Sequence, residues 1–464
     1  VSPAAQPTES PAVSPAAQPT ERAGVSPAVQ PTERAGVSPA VQPTERAGAG
    51  GSPLDAIASE VLDGLRARGT HRRMRVLDGL QAPRMHVDGR DVLLFAGSNY
   101  LDLARHPAVV EAAARASQDW GCAAGGSRLI TGNLACHEAL ESELAAFFGR
   151  EAALAFNTGY MANVGLIPAL VGPEDVLVSD ELNHASIVDG ARLARTQVAI
   201  FRHGDVDDFS ATLARVRPDA RRVLVAIDGV YSMDGDVAPV AEITRRAHEA
   251  DAMVLLDDAH GTGCLGSRGR GTAEAEGVLD EVDVLMGTLG KSIGSFGAFV
   301  AGSAKLRELL VNTARSFIFS CALAPAQVEA ARVAIRLIDE EPWRREQLAL
   351  NSERLRARLE TAGLSTSPST THILPLVLGD NARTMAICEA LLERGYYAQG
   401  IRHPSVPVGT ARLRITPMAT HTEEEIDGLA DAVLASIAYV DDVQGPRPTQ
   451  EDPSRAEPQL ASIG

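Results

Sequence analysis

"GTLGKS" occupies residues 287–292 and holds one of the two lysines among 464 residues. Its ending is that of a phosphate-binding P-loop, and "VLLDDAHG" (254–261) supplies an apolar run closing in carboxylates. A Walker A loop reads G-x-x-x-x-G-K-[ST], because its backbone amides wrap a phosphate before the helix begins. Five places before Gly290 stands Leu285, inside a strand-like run, so the first glycine is missing, and Gly287 is too close. The acidic run also precedes the lysine, the reverse of the usual order. The stretch does not read as a nucleotide loop.

The other 41 basic residues are arginines, which cannot lose a proton and so cannot act as amine nucleophiles. A rare lysine in a glycine-bearing turn therefore points to a reactive amine. Lys305, in "GSAKLREL", reads as surface charge. A Schiff-base lysine serving pyridoxal phosphate needs an acid for the pyridine nitrogen and a phosphate cup at a helix N-terminus. Asp257 closes the apolar run "AMVLLD", and "FNTGYMANVGL" (156–166) is a strand-to-helix junction whose Gly159 lets the backbone approach a phosphate.

Around these residues, short apolar runs recur: 152–156, 175–179, 221–228, 252–257, 282–287 and 297–302, with amphipathic segments such as "VAEITRRAHEA" (240–250) between several of them. That alternation predicts an α/β fold with a doubly wound, mostly parallel sheet, whose ligands collect at the strands' carboxyl ends. Residues 53–95, opening with the helical spacing of "PLDAIASEVLDGLRARG" after a Ser52 cap, are expected to form an N-terminal arm. Residues 96–335 are expected to form the large domain, and 336–443 a small α+β domain. Residues 1–48 are four copies of a twelve-residue unit such as VSPAVQPTERAG. Rich in Pro, Ala, Ser and Thr and lacking aromatics, the segment 1–52 reads as disordered, as does 444–464.

A formal net charge of −17 argues against nucleic acid as a main partner. No apolar run reaches membrane-spanning length. Five scattered cysteines without a CxxC pair fit a reducing, cytoplasmic setting and give no metal site.

Six blocks, in this order, carry a resemblance: "GCAAGGSRLITGNLACHEALE" (121–141), "SDELNHASIVDGARL" (179–193), "DGVYSMDGDVAP" (228–239), "DDAHGTGCLGSRGRG" (257–271), "TLGKS" (288–292) and "PSVPVGTARLRIT" (404–416). From about Leu54 to Val440 the chain resembles the α-oxoamine synthases, fold-type I pyridoxal phosphate enzymes. "GGSRLITGN" and "RHPSVPVGTARLR" look most like the 8-amino-7-oxononanoate synthase branch, which belongs to biotin biosynthesis.

The resemblance implies pyridoxal 5'-phosphate as cofactor, a homodimer, and decarboxylative condensation of an amino acid with an acyl-CoA. L-alanine and pimeloyl-CoA would give 8-amino-7-oxononanoate. It implies that Lys291 binds the cofactor and shuttles the Cα proton, that Asp257 holds the pyridine nitrogen protonated, and that His260 meets the ring hydroxyl. His184 would stack on the ring, Gly159, Tyr160 and Thr288 line its phosphate side, and Ser232 touch its polar edge. Arg414 would clamp the substrate carboxylate, and Ser127 would sense the amino acid's side chain. Arg402 and Ser405 would lie near the mouth.

Plainer readings stand beside these. A histidine such as His184 can simply cap a helix, Asp258 reads as a turn former, and Cys264 as packing. Of Arg412 and Arg414, only one is expected to face the site. Many relatives of this branch begin a basic "RRRY" near the acyl pocket where this chain has "HRRM" (71–74), putting His71 at the expected pimeloyl carboxylate contact. Sister synthases using glycine or serine, and an enzyme for carrier-bound acyl groups, remain alternatives, as does a non-catalytic cofactor-binding scaffold.

Overall fold

The computed structural model describes residues 52–444; the twelve-residue repeats and the C-terminal tail from 445 lie outside the described residues. The first helix, Pro53–Ala67, begins in a reciprocal cap: the Ser52 hydroxyl accepts the Asp55 N–H at 3.1 Å, and the Asp55 carboxylate accepts the Ser52 N–H at 3.2 Å. Residues up to Val61 belong to an N-terminal unit, and from Leu62 the chain forms the main unit.

Fourteen strands follow among the described residues. The first three are β1 (Leu77–Asp78), β2 (Arg84–Val87) and β3 (Arg90–Leu94). Next come β4 (Ala152–Phe156), β5 (Val176–Asp180), β6 (Gln197–Phe201), β7 (Val223–Asp228), β8 (Met253–Asp257), β9 (Val284–Thr288) and β10 (Ala298–Gly302). The last four are β11 (Leu374–Gly379), β12 (Tyr396–Tyr397), β13 (Gln399–Ile401) and β14 (Ala411–Ile415).

The central sheet has seven strands in the order β4-β10-β9-β8-β7-β5-β6. Strands β9 through β6 pair in parallel, and β10 runs antiparallel to both its neighbours. The apolar runs explain this placement. In β7 every residue is buried, with Val223, Val225 and Ile227 in one core and Leu224 and Ala226 in the core on the opposite face. A strand apolar on both sides needs helices on both sides. Helices Gly159–Leu170 and Ala185–Ala194 cover the face of Leu224, while Ala135–Phe148, Val240–Glu249 and Pro325–Glu340 cover that of Val225. Within the central sheet, β6 alone escaped the sequence pattern: its burial is interrupted because it closes one edge of the sheet.

The small sheet is antiparallel, in the order β11-β14-β13. Of the residues expected to form an arm, β3 pairs in parallel with β12, in a four-stranded sheet with β1 and β2. No described helix is long and apolar enough to cross a membrane.

Candidate active site

Four strands of the central sheet end around one cavity of about 180 Å³. Asp228 and Asp257 are register partners at the ends of β7 and β8. β9 ends at Thr288, three residues before Lys291, and β4 ends just before the turn that opens helix Gly159–Leu170. Gly159, Tyr160, His184, Ser232, Asp257, His260, Thr288 and Lys291 all line the cavity, together with Ser186, Asp228 and Met286.

The Lys291 amine lies 2.8 Å from His260 Nε2, and the His260 Nδ1 lies 2.8 Å from the Tyr100 hydroxyl. Burial pulls the amine down to about 8; Asp257 opposes that shift and Arg414 adds to it. Burial, with the facing Lys291 and Arg414 charges, pushes His260 well below its ordinary value, so the ring is neutral. A buried lysine near neutrality spends a useful fraction of time as the free amine, which a surface lysine does not.

Asp257 is held from two sides. Its Oδ2 accepts the Asn163 amide at 2.8 Å and its Oδ1 the Ala259 N–H at 3.2 Å. Asn163 also donates to Ser186 Oγ at 2.9 Å, and that hydroxyl lies 2.7 Å from His184 Nδ1. His184 thus caps its helix and lines the cavity at once. Its backbone N–H donates to Asp228 Oδ2 at 3.1 Å, while the buried Asp228 Oδ1 has no hydrogen-bond partner among the described residues. Burial first, then the Asp257 charge, pushes Asp228 well above the usual carboxylate range.

Other expected residues are placed less directly. The Tyr160 hydroxyl donates to Asp189 at 2.7 Å, leaving its helix-N-terminal amide as its polar group toward the cavity. Thr288 donates its one hydroxyl proton to the Gly297 carbonyl and accepts the Gly290 N–H. Arg414 is buried, with Nε donating to the Ser232 carbonyl at 2.6 Å and Nη2 to the Tyr100 hydroxyl at 3.3 Å. Neither Arg412 nor Arg414 is among the described residues that line the cavity. Residues two apart share a strand face, and Arg412 pairs with Asp234 on the same turn that Arg414 grips. Asp258 is buried and accepts the Thr272 N–H and hydroxyl at 2.9 and 3.0 Å, fixing the glycine-rich loop that follows β8. Cys264 is buried, and burial raises its thiol.

Ser127 lies outside the cavity, in a backbone bridge with Cys321. His71, Arg402 and Ser405 gather around a second cavity of about 440 Å³, with Arg72, Arg73 and Arg75. There Arg402 donates to the carbonyls of Gly69 and His71 at 3.1 and 2.6 Å. Tyr100, Asn163 and Asp228 went unnoticed in the sequence. Tyr100 and His260 are 160 positions apart, and no local pattern signals such a meeting; "SNYLDL" (98–103), placing a tyrosine just beyond β3, is the only cue.

The donor set fits pyridoxal phosphate. A free-amine lysine and a carboxylate share the cavity, and the first amides of helix Gly159–Leu170 face it, with Thr158 Oγ1 already capping Met161 N–H at 3.1 Å. A Cβ on Gly159 would meet only the Met286 methyl, at 3.9 Å, so the space over those amides is open.

Residues 90–433 match the family model described as aminotransferase class I and II. The chain is 48% identical over 376 residues to the 8-amino-7-oxononanoate synthase of Geotalea daltonii, covering 81% of this chain and 96% of that one. It is 49% identical over 381 residues to the enzyme of that name from Geobacter metallireducens, covering 82% and 97%. Among solved structures, the Sphingomonas wittichii serine palmitoyltransferase superposes with a TM-score of 0.79 at 34% identity, covering 84% of this chain and 98% of that one. A variant of the S. paucimobilis serine palmitoyltransferase, solved with a bound PLP–myriocin aldimine, matches with the same TM-score and coverage at 32% identity. The cofactor of this fold is pyridoxal phosphate, and the chain belongs to the aminotransferase class I and II family of fold-type I pyridoxal-phosphate enzymes, with the 8-amino-7-oxononanoate synthases as relatives at nearly half identity.

Proposed function

We propose that this protein condenses L-alanine with pimeloyl-CoA, releasing CO₂ and CoA, to form 8-amino-7-oxononanoate. The observation that carries this reading is the buried Lys291 amine, 2.8 Å from a neutral His260 and in one cavity with Asp257. The relatives' shared name supports the choice of substrates.

When bound, pyridoxal phosphate supplies an electron sink for negative charge at the amino acid's Cα. Lys291 supplies the nucleophilic amine and carries a proton on and off at Nζ. His260 exchanges a hydrogen bond with that Nζ through Nε2 and is oriented at Nδ1 by Tyr100. Asp257, steadied by Asn163 and the Ala259 amide, would hold a proton at the pyridine nitrogen as an ion pair. Gly159 and Tyr160 would offer backbone amides to the phosphate, and His184 would pack against the ring. Arg414 receives the substrate carboxylate with its fork of donors.

The second cavity, with His71, Arg72, Arg402 and Ser405, is read as the acyl-donor side. Exposed Leu129, Ile130 and Phe319 lie on the two segments joined by the Ser127–Cys321 bridge, and we assign this face to a second copy in a homodimer. The expected boundaries, an arm to residue 95, a large domain to 335 and a small domain beyond, remain our division of the chain. Cytoplasmic residence follows from the proposed use of CoA thioesters. Purified holoenzyme is to be assayed against a panel of amino acids and acyl-CoAs, including serine with palmitoyl-CoA and glycine with acetyl-CoA. Preference for any pair but alanine and pimeloyl-CoA overturns the substrate assignment.

A further inference from the structure

His203, just beyond β6, has a carboxylate on each ring nitrogen. Nδ1 lies 3.0 Å from Asp180 Oδ1, and Nε2 lies 2.7 Å from Asp236 Oδ2. Ionised carboxylates only accept hydrogen bonds, and a neutral imidazole has one donor, so facing both requires the doubly protonated ring. Asp180 is buried at the end of β5 and also accepts the N–H groups of Leu182 and Gly204. The His203 and Tyr231 rings stand nearly perpendicular with centroids 4.3 Å apart, and that phenol is held neutral by burial. Glu181 accepts the His203 backbone N–H at 3.0 Å, while Arg202 turns outward to Asp205 and Asp208. The two carboxylates outweigh burial and raise the imidazole to about 10.

Asp236 closes the turn that begins at Val230. The Tyr231 N–H donates to the Asp236 carbonyl at 3.1 Å, and Val230 and Val237 pair as a bridge. At the other end of this turn Ser232 lines the main cavity and its carbonyl receives Arg414 Nε. Arg412 grips Asp234 between them. The turn has no slack on its far side, because a Cβ on Gly235 would stand 1.9 Å from the Ile373 carbonyl oxygen.

We propose that His203 is a positioning residue whose imidazolium, clamped between Asp180 and Asp236, fixes the Val230–Val237 turn and through it sets Arg414 for the amino-acid carboxylate. This rests on the reading of Arg414 as the carboxylate clamp.

The test uses holoenzyme and reads alanine affinity from the cofactor's absorption change without acyl-CoA, beside KM and kcat. His203→Gln satisfies only one carboxylate and weakens alanine binding by about 10-fold, the scale of one lost charged hydrogen bond, with kcat less affected. The double variant His203→Gln/Asp236→Asn lets the two amides pair and recovers alanine affinity. Asp236→Ala, which leaves the His203–Asp180 pair in place, weakens alanine binding on its own and serves if His203→Gln folds poorly. Loss of thermal stability with unchanged alanine affinity in both single variants overturns the proposal, as does a double variant that regains stability but not affinity. Arg414→Ala separates the two levels: if it leaves alanine affinity intact, the clamp reading itself fails, whereas a loss there without one in His203→Gln or Asp236→Ala sinks only the role of His203.

Discussion

The Lys291 amine and His260 Nε2 stand 2.8 Å apart in a cavity that buries both. Neither partner carries its usual charge comfortably there, which suits a lysine that must act as a nucleophile and a proton carrier. Lys291→Ala is expected to lower turnover by roughly 10³-fold or more, the scale of removing a positioned acid–base group. It should also abolish the borohydride-trappable bond and the visible absorption of the holoenzyme. A variant that turns over like wild type would end the assignment.

Asp257 is expected to act through charge. Asp257→Asn keeps the shape and can still meet Asn163 or Ala259, but an amide cannot stabilise a protonated pyridine. The loss in kcat should be about 10²- to 10³-fold, by analogy with other preorganised electrostatic partners. Circular dichroism and melting temperature should stay near wild type. Equal kcat in the two proteins would refute the role.

The His203 clamp gives stability a pH dependence of known sign. Its folded pKa, about 10, exceeds the unfolded value of about 6.5. The native state therefore holds an extra proton between those values, and stability falls as pH rises through that window. The contribution is complete below the unfolded pKa and gone above the folded one. Melting temperatures of wild type and His203→Gln should thus converge between about pH 7 and about pH 10. A constant gap across that range would show that the ring is not charged by its two neighbours.

Much of the fold was legible because β5, β7, β8, β9 and β10 are buried on both faces and read as unbroken apolar runs. The strand ends then located the cavity, since Asp257 and the turn to Lys291 interrupt such runs. What stayed hidden depends on distant approach. Tyr100 reaches His260 from beyond β3, and Arg414 reaches the Ser232 carbonyl across 182 positions. The separation of His71, Arg402 and Ser405 into their own cavity is likewise a property of how β12 and β13 lie beside residues 69–75, which no run of sequence encodes.

Among the described residues, those lining the two cavities begin at His71, well after the repeats of residues 1–48. Deleting them is expected to leave kcat/KM on free acyl-CoA unchanged. A shift in KM for the acyl donor alone would instead assign the repeats a part in delivering that substrate.

The acyl donor is tested at the second cavity. His71, in the place expected for a carboxylate-binding arginine, turns its carbonyl to Arg402, and an imidazole lacks the planar fork of donors that a guanidinium offers. Arg75 is spent on Asp88 and Glu389. Arg73 is largely exposed and sits 3.3 Å from Asp88. Arg72 lines the cavity, and its one hydrogen bond among the described residues is a long one, 3.5 Å to Ser405 Oγ. Arg72 is therefore the side chain with donors to spare for a distal carboxylate. Arg72→Ala should raise KM for pimeloyl-CoA by about 10-fold, as expected for a lost charged hydrogen bond, and leave KM for an uncharged acyl-CoA of equal length unchanged. Arg73→Ala should move neither. If wild type prefers the uncharged chain and Arg72→Ala changes nothing, the donor is not a dicarboxylic thioester, and the condensation serves a different acyl group through the same Lys291 chemistry.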